Sequence, residues 1–177
     1  MERAKELFLK YSGKRFYMDR EGEGSEYESY HISKETEEMW AEEFISSFLD
    51  SKAQGREALR NYSTATELLD KDRRDTVRDT LLYYPFRAGH LDDVTILYML
   101  SASYRMAEIA AKKQRFSREE RDAYLRELDA YAQTVRTRAE EGTMTRSADY
   151  IAQEFSDPVY IADHLNDLKK KWNELFD

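Results

Sequence analysis

The chain has 177 residues, of which 36 are acidic and 28 are basic, so its net charge is −8 at neutral pH. It contains no cysteine, which excludes disulfides, thiol catalysis and zinc sites built on thiolates. Only six glycines and two prolines interrupt a chain rich in Ala, Leu, Glu, Lys and Arg, a composition that favours helices over strands.

The predicted fold class is all-α. A chain of this length, with 41% hydrophobic residues, can bury one core, so we expect a single all-α domain over residues 1–177. We expect a helical bundle of about five to seven helices around a central apolar helix at about 92–113, with an irregular acidic loop at 14–32. The N-terminus lacks the apolar stretch of a secretory signal, which predicts a cytoplasmic protein.

The first predicted helix covers residues 2–11, and Gly13 ends it. The stretch DREGEGSEYESY, residues 19–30, then places acids at positions 1, 3 and 5 and a glycine at position 6, as in a calcium-binding loop. Such a loop needs a bidentate Glu at position 12, where this chain has Tyr30, and a helix directly before it. We therefore interpret the stretch as an acidic loop facing solvent.

The negative charge is concentrated in one segment. Residues 19–50 contain eleven acidic side chains, against only Arg20 and Lys34. The rest of the chain is close to neutral and offers no basic face, so we expect no binding to nucleic acid.

The longer helices are predicted from their caps and their apolar periodicity. Ser33 is the expected N-cap of a helix that runs to about Lys52 and turns Trp40 inward. Thr64 and Glu67 have the spacing of a capping box, which predicts that a third helix begins there. The remaining signals are the end of that third helix before Pro85, an N-cap at Asp92 for the central helix, a capping box at Ser117 and Glu120, and an N-cap at Asp157 followed by Pro158.

Two pairs of carboxylates suggest a magnesium site. Glu35 and Glu38 stand three residues apart on one predicted helix, and Glu67 and Asp70 stand three apart on the next. This spacing resembles the pattern with which all-α nucleoside triphosphate pyrophosphohydrolases bind Mg²⁺, and the resemblance implies a magnesium-dependent, nucleotide-hydrolysing enzyme. At about 100° per residue, however, the first pair lies away from its helix's apolar side and faces water, whereas a metal site in a bundle needs inward-pointing carboxylates.

Arg105 and Glu108 interrupt the apolar run of the central helix. Their charges argue against a membrane span and for a core helix. A charge at such a place needs either a buried partner or a water-filled pocket. The two residues therefore mark a candidate small-molecule pocket.

The leading interpretation is a non-enzymatic protein-protein interaction domain that needs no cofactor. Aromatic rings among carboxylates suit a surface that recognises a basic protein, since the rings supply contact area and the acids supply steering. An inhibitor or immunity-type protein, an adaptor or a homo-oligomer would all fit, and Lys169, Lys170 and Lys171 could cover the same face. The predicted partner-binding residues are Tyr27, Tyr30, Glu35, Glu38, Glu42 and Glu43.

Overall fold

The computed structural model describes residues 1–69, 75–149 and 154–176. Within these ranges the chain forms nine α-helices, two short 3₁₀ helices and no strand, which confirms the all-α class. The helices outnumber the five to seven predicted. They are α1 (Glu2–Lys10), α2 (Arg15–Arg20), α3 (Gly24–Ser29), α4 (Lys34–Asp50), α5 (Gly55–Leu68), α6 (Asp75–Arg87), α7 (Asp93–Lys112), α8 (Arg118–Glu140) and α9 (Pro158–Asn173), with 3₁₀ helices at Glu154–Ser156 and Glu174–Phe176.

The chain divides into two compact units. The N-terminal unit comprises Met1–Ser51 and Asn61–Arg78, and the C-terminal unit comprises Lys52–Arg60 and Asp79–Asp177. The boundary falls inside α5 and inside α6. That the whole chain is one domain, with its helices bundled around α7, stays a prediction.

The N-terminal unit is built on the amphipathic helices α1 and α4. Phe8 of α1 is fully buried and meets Trp40 of α4, with ring centroids 5.7 Å apart. Ser33 caps α4 as predicted, since its hydroxyl accepts a hydrogen bond from the Thr36 amide at 3.2 Å. One side of α4 is thereby fixed against the core, and the other side faces solvent.

The predicted irregular loop at 14–32 is wrong, because this segment contains the two six-residue helices α2 and α3. Each helix buries one large side chain, Met18 in α2 and Tyr27 in α3. Gly22 adopts a φ of +80°, a left-handed conformation that glycine tolerates, and it permits the turn between the two helices. The structure thus provides apolar anchors in a segment that reads as polar.

The predicted start of the third helix is also wrong. Thr64 and Glu67 do not begin a helix; they lie inside α5, which begins at Gly55. The cap of α5 comes from far along the chain, since the Asp149 carboxylate accepts the Arg56 amide at 2.8 Å. That hydrogen bond lowers the pKa of Asp149. A local capping pattern cannot reveal such a distant cap.

Pro85 does not end its helix at the preceding residue. It lies inside α6, two residues before that helix ends at Arg87. Proline removes one backbone donor and disfavours helical geometry at the residue before it, but within the last turn little of the helix depends on that donor.

The C-terminal unit follows the sequence-based predictions closely. Helix α7 begins after Asp92, whose carboxylate accepts the Thr95 amide at 2.9 Å. Ser117 and Glu120 form the predicted capping box at the start of α8. Asp157 caps α9 with Pro158 at its first turn. The fully buried Trp172 of α9 stacks on Tyr124 of α8 at 4.1 Å between ring centroids.

A buried carboxylate ties α7 to α8 and to the segment that follows α8 in sequence. Asp93 is only 1% exposed. Its carboxylate accepts hydrogen bonds from Arg138 Nη1 at 2.6 Å and from the amide and hydroxyl of Thr145 at 2.8 and 2.9 Å. The Tyr131 hydroxyl donates to the Asp93 carbonyl at 3.3 Å, and burial raises the pKa of Tyr131. The network satisfies a charge that burial would otherwise disfavour.

Candidate functional site

The solvent side of α4 carries a cluster of carboxylates. Trp40, Ala41, Ile45 and Phe48 occupy the buried side of this helix. Because successive residues are about 100° apart, the acidic residues fall on the opposite side. Glu35, Glu42 and Glu43 are exposed, so Glu35 turns away from the core as expected, whereas Glu38 is half-buried.

An apolar side chain lies among these carboxylates. Met39 is 48% exposed, on the same side of α4 as Glu35 and Glu42. A flexible thioether within a ring of charge is a suitable contact point for a partner, because methionine adapts to irregular apolar surfaces. We call Glu35, Glu38, Met39, Glu42 and Glu43 the acidic face.

Glu23 and Glu26, two further acids of the N-terminal unit, are engaged by neighbouring cations. Arg3 of α1 donates to Glu23 and to Glu26, both at 3.1 Å. Lys10 lies 2.6 Å from Glu23, and this hydrogen bond, together with one from Tyr11, lowers the pKa of Glu23 to about 2. Carboxylates within the stretch 19–30 therefore serve contacts inside the unit.

The predicted aromatic part of the site is corrected by the structure. Tyr27 is 7% exposed and its hydroxyl donates to Glu37 at 2.9 Å, so its ring is not available to a partner. Burial, with this hydrogen bond, raises the pKa of Tyr27. Tyr30 is half-buried and donates to Glu26 at 3.1 Å. The prediction assumed a loop with nothing apolar to pack against, whereas α3 packs against α1 and α2.

The aromatic side chains that this unit does expose were missed. Phe16 of α2 is 71% exposed, and its ring meets the partly exposed Tyr17 at 5.5 Å. The Arg20 guanidinium lies 5.1 Å from the Tyr17 ring. Without a predicted helix in this segment, the sequence offered no means of assigning these rings to a side.

The lysines that could neutralise or cover the acidic face all form ion pairs with carboxylates. Lys5 of α1 pairs with Glu43. Lys169 lies 2.6 Å from Asp129, Lys171 lies 2.7 Å from Asp167, and Lys170 lies 3.9 Å from Glu174. All three C-terminal lysines thus have partners on α8 or close by in sequence.

The magnesium ligands predicted from the sequence are not gathered together by the described part of the chain. Among residues 1–69, 75–149 and 154–176, no three histidine or carboxylate side chains form a group that could hold a metal ion. Glu67 pairs with Lys14 at 2.9 Å. Asp70, the fourth predicted ligand, lies outside the described residues.

The residues of the predicted pocket, Arg105 and Glu108, lie at the surface of α7. Arg105 is exposed, and Glu108 pairs with Lys112 at 3.0 Å on the surface of α7. Although most of α7 is apolar, Ser101, Arg105 and Lys112 recur at helical spacing along one narrow exposed strip. The two charges therefore need neither a buried partner nor a cavity.

A cavity is found elsewhere in the C-terminal unit, between α8 and α9. It has a volume of about 360 Å³, and Leu128, Leu165, Arg136 and Lys169 are among its lining residues. Arg136 donates to Asn166 at 2.6 Å, and Lys169 pairs with Asp129. Because these cations already have protein partners, they do not by themselves favour a particular class of ligand.

Comparisons with protein-family models, with curated proteins and with solved structures find no match for this chain. In the part of the chain that the structure describes, no helix combines the length and the apolar character needed to cross a bilayer. The candidate functional site is the acidic face, which can attract and orient a cationic surface.

Proposed function

We propose that this protein is a non-enzymatic interaction domain of the cytoplasm whose acidic face binds a basic protein. The observation that carries the proposal is the solvent side of α4, where Glu35, Glu38, Glu42 and Glu43 surround the exposed Met39. The lack of cysteine suits a reducing compartment. The role is that of an adaptor, or of an inhibitor or immunity-type protein that covers the basic surface of its target.

In the proposed interface, the charged groups and the apolar contact have different roles. Exposed ion pairs contribute only about 0 to 1 kcal/mol each, so the carboxylates act mainly by steering a basic partner and by rejecting acidic ones. Most binding energy in an interface comes from a few buried contacts near its centre. Met39 has the exposed area and the central position for such a contact.

The acidic face also carries the sign of charge that attracts a basic partner. On this face the ion pair between Lys5 and Glu43 joins α1 to α4. Glu35 and Glu42 are exposed and contribute negative charge to this side of α4.

The test is capture of partners from a lysate of the source organism, followed by binding measurements with each purified partner. The test variant carries Glu35→Lys and Glu42→Lys; Glu43 is retained because it pairs with Lys5. The matched control carries Glu127→Lys and Glu140→Lys, which make the same charge change at exposed positions of α8.

We expect wild type and control to capture the same basic protein and the test variant to bind it at least about tenfold more weakly, which corresponds to about 1.4 kcal/mol. Equal affinity of all three proteins for every captured partner would refute the proposal. Circular dichroism of each variant confirms that the fold is retained before binding is compared.

A further inference from the structure

The cavity between α8 and α9 has an apolar end and a charged end. Its wall on α8 begins with Leu128 and Ala132 and continues with Arg136 and Glu140. These residues are spaced four apart, so they form one row along the helix. Leu165 of α9 adds a further apolar contact. The volume of about 360 Å³ lies near the lower end of the range for ligand-binding clefts, which suits a small molecule with one polar and one apolar end.

Arg136 brings to the cavity a positive charge whose one protein hydrogen bond, in the part of the chain described, goes to an uncharged side chain. Its Nη2 donates to the side-chain oxygen of Asn166 on α9 at 2.6 Å, and its Nε is buried without an acceptor. An amide oxygen satisfies one donor but carries no net charge. The contact with Asn166 therefore holds the guanidinium in place and leaves Nη1 and the second N–H of Nη2 for a ligand carboxylate.

Glu140 supplies the opposite charge one turn further along α8. It is exposed and lines the same cavity. An arginine four residues before a glutamate is the weaker order for a helical ion pair, and within the described ranges Arg136 bonds to Asn166 rather than to Glu140. The other two charged residues of the wall, Asp129 and Lys169, pair with each other at 2.6 Å. The cavity thus presents one guanidinium and one carboxylate to a ligand.

We propose that this cavity binds an α-amino acid with an aliphatic side chain. Its carboxylate accepts hydrogen bonds from Arg136, its ammonium donates to Glu140, and its side chain lies toward Leu128 and Ala132. Such a ligand carries both charges at one end and hydrocarbon at the other, which matches the order of groups along α8. A molecule with a single charge leaves either Arg136 or Glu140 unpaired and meets one group of like charge. The site lies within the C-terminal unit, whereas the acidic face belongs to the N-terminal unit.

The test is a titration with leucine followed by backbone amide NMR. Two matched probes each lack one charge: isocaproate is leucine without its ammonium group, and isoamylamine is leucine without its carboxylate. In wild type, leucine up to about 20 mM should shift the amide signals of the residues that line the cavity on α8 and α9. Each single-charge probe should bind at least about tenfold more weakly, because it loses a charge-assisted hydrogen bond.

Two variants assign the charges. Arg136→Gln removes the partner of the carboxylate, so it should bind leucine at least about tenfold more weakly and no longer prefer leucine to isoamylamine. Glu140→Gln removes the partner of the ammonium, so it should no longer prefer leucine to isocaproate. The matched control carries Arg126→Gln and Glu127→Gln at exposed positions of α8 outside the cavity, and it should bind leucine as wild type does.

Circular dichroism first establishes that each variant folds. If Arg136→Gln fails because it loses the contact with Asn166, Glu140→Gln decides alone, since its position is exposed. Four results overturn the inference: no shift with leucine in wild type up to about 20 mM, shifts only outside α8 and α9, equal binding of leucine and both single-charge probes, or folded variants that keep the preferences of wild type. A variant with a merely structural defect would bind all three probes more weakly without changing their order.

Discussion

The buried carboxylate of Asp93 predicts a large loss of stability on its removal. Asp93→Ala deletes the acceptor of three hydrogen bonds, one from Arg138 and two from Thr145. Hydrogen bonds to a charged group contribute about 1.5 to 3 kcal/mol each, but the Arg138 side chain is 46% exposed, so water replaces much of its contribution. We therefore expect the free energy of unfolding to fall by about 3 kcal/mol.

The assay is urea unfolding followed by circular dichroism, with the midpoint and the slope compared with those of wild type. The matched control is Asp129→Ala. Its carboxylate accepts Lys169 at 2.6 Å, the same distance as between Asp93 and Arg138, but both partners are about half exposed. The control should lose no more than about 1 kcal/mol. Equal losses for the two variants would refute the argument that burial makes the Asp93 network strong.

Three further predictions concern stability. Burial lowers the pKa of His164 in the folded chain. As the pH falls below about 6.5, the unfolded chain therefore protonates this imidazole first, and the free energy of unfolding falls. In His164→Gln the free energy of unfolding should change less between about pH 7 and 5.5. Gly55 has a φ of +56° and lies close to the Asp149 side chain, so Gly55→Ala should lower the free energy of unfolding by more than about 2 kcal/mol. Gly142 has a φ of +68° but open space around it, so Gly142→Ala should lower it by only about 1 kcal/mol. Ser117→Ala removes the capping box of α8 and should cost about 1 kcal/mol in a thermal or urea titration.

Each of these has a contradicting result. An unchanged pH profile in the His164 variant would show that this imidazole does not titrate differently on folding. Equal costs at Gly55 and Gly142 would mean that the contact with Asp149 relaxes freely. A Ser117 variant as stable as wild type would mean that water replaces the cap.

The sequence predicts those features whose causes lie close together along the chain. Helix α7 has its own cap at Asp92 and a long apolar pattern, and α8 has both halves of its capping box within four residues. The outward position of Glu35 follows from the helical period alone, once α4 is recognised. These predictions needed no knowledge of tertiary contacts.

The features that escaped prediction depend on residues distant in sequence or on very short helices. The start of α5 depends on Asp149, more than ninety residues away, as the hydrogen bond to Arg56 shows. Helices α2 and α3 have six residues each, too few for a periodic pattern, so the burial of Tyr27 and the exposure of Phe16 could not be assigned. Arg105 was misjudged because a predominantly apolar helix can still leave one narrow strip in solvent.

Site-specific photo-crosslinking at the centre of the acidic face tests whether this face is a binding surface. A photo-reactive amino acid replaces Met39 in one protein and the exposed Glu127 of α8 in another, and both are irradiated in cells. We expect a discrete adduct with a basic protein from position 39 alone, and its loss when Glu35→Lys and Glu42→Lys are added. Equal adducts from both positions, or an adduct at position 39 that survives the charge reversal, would contradict it.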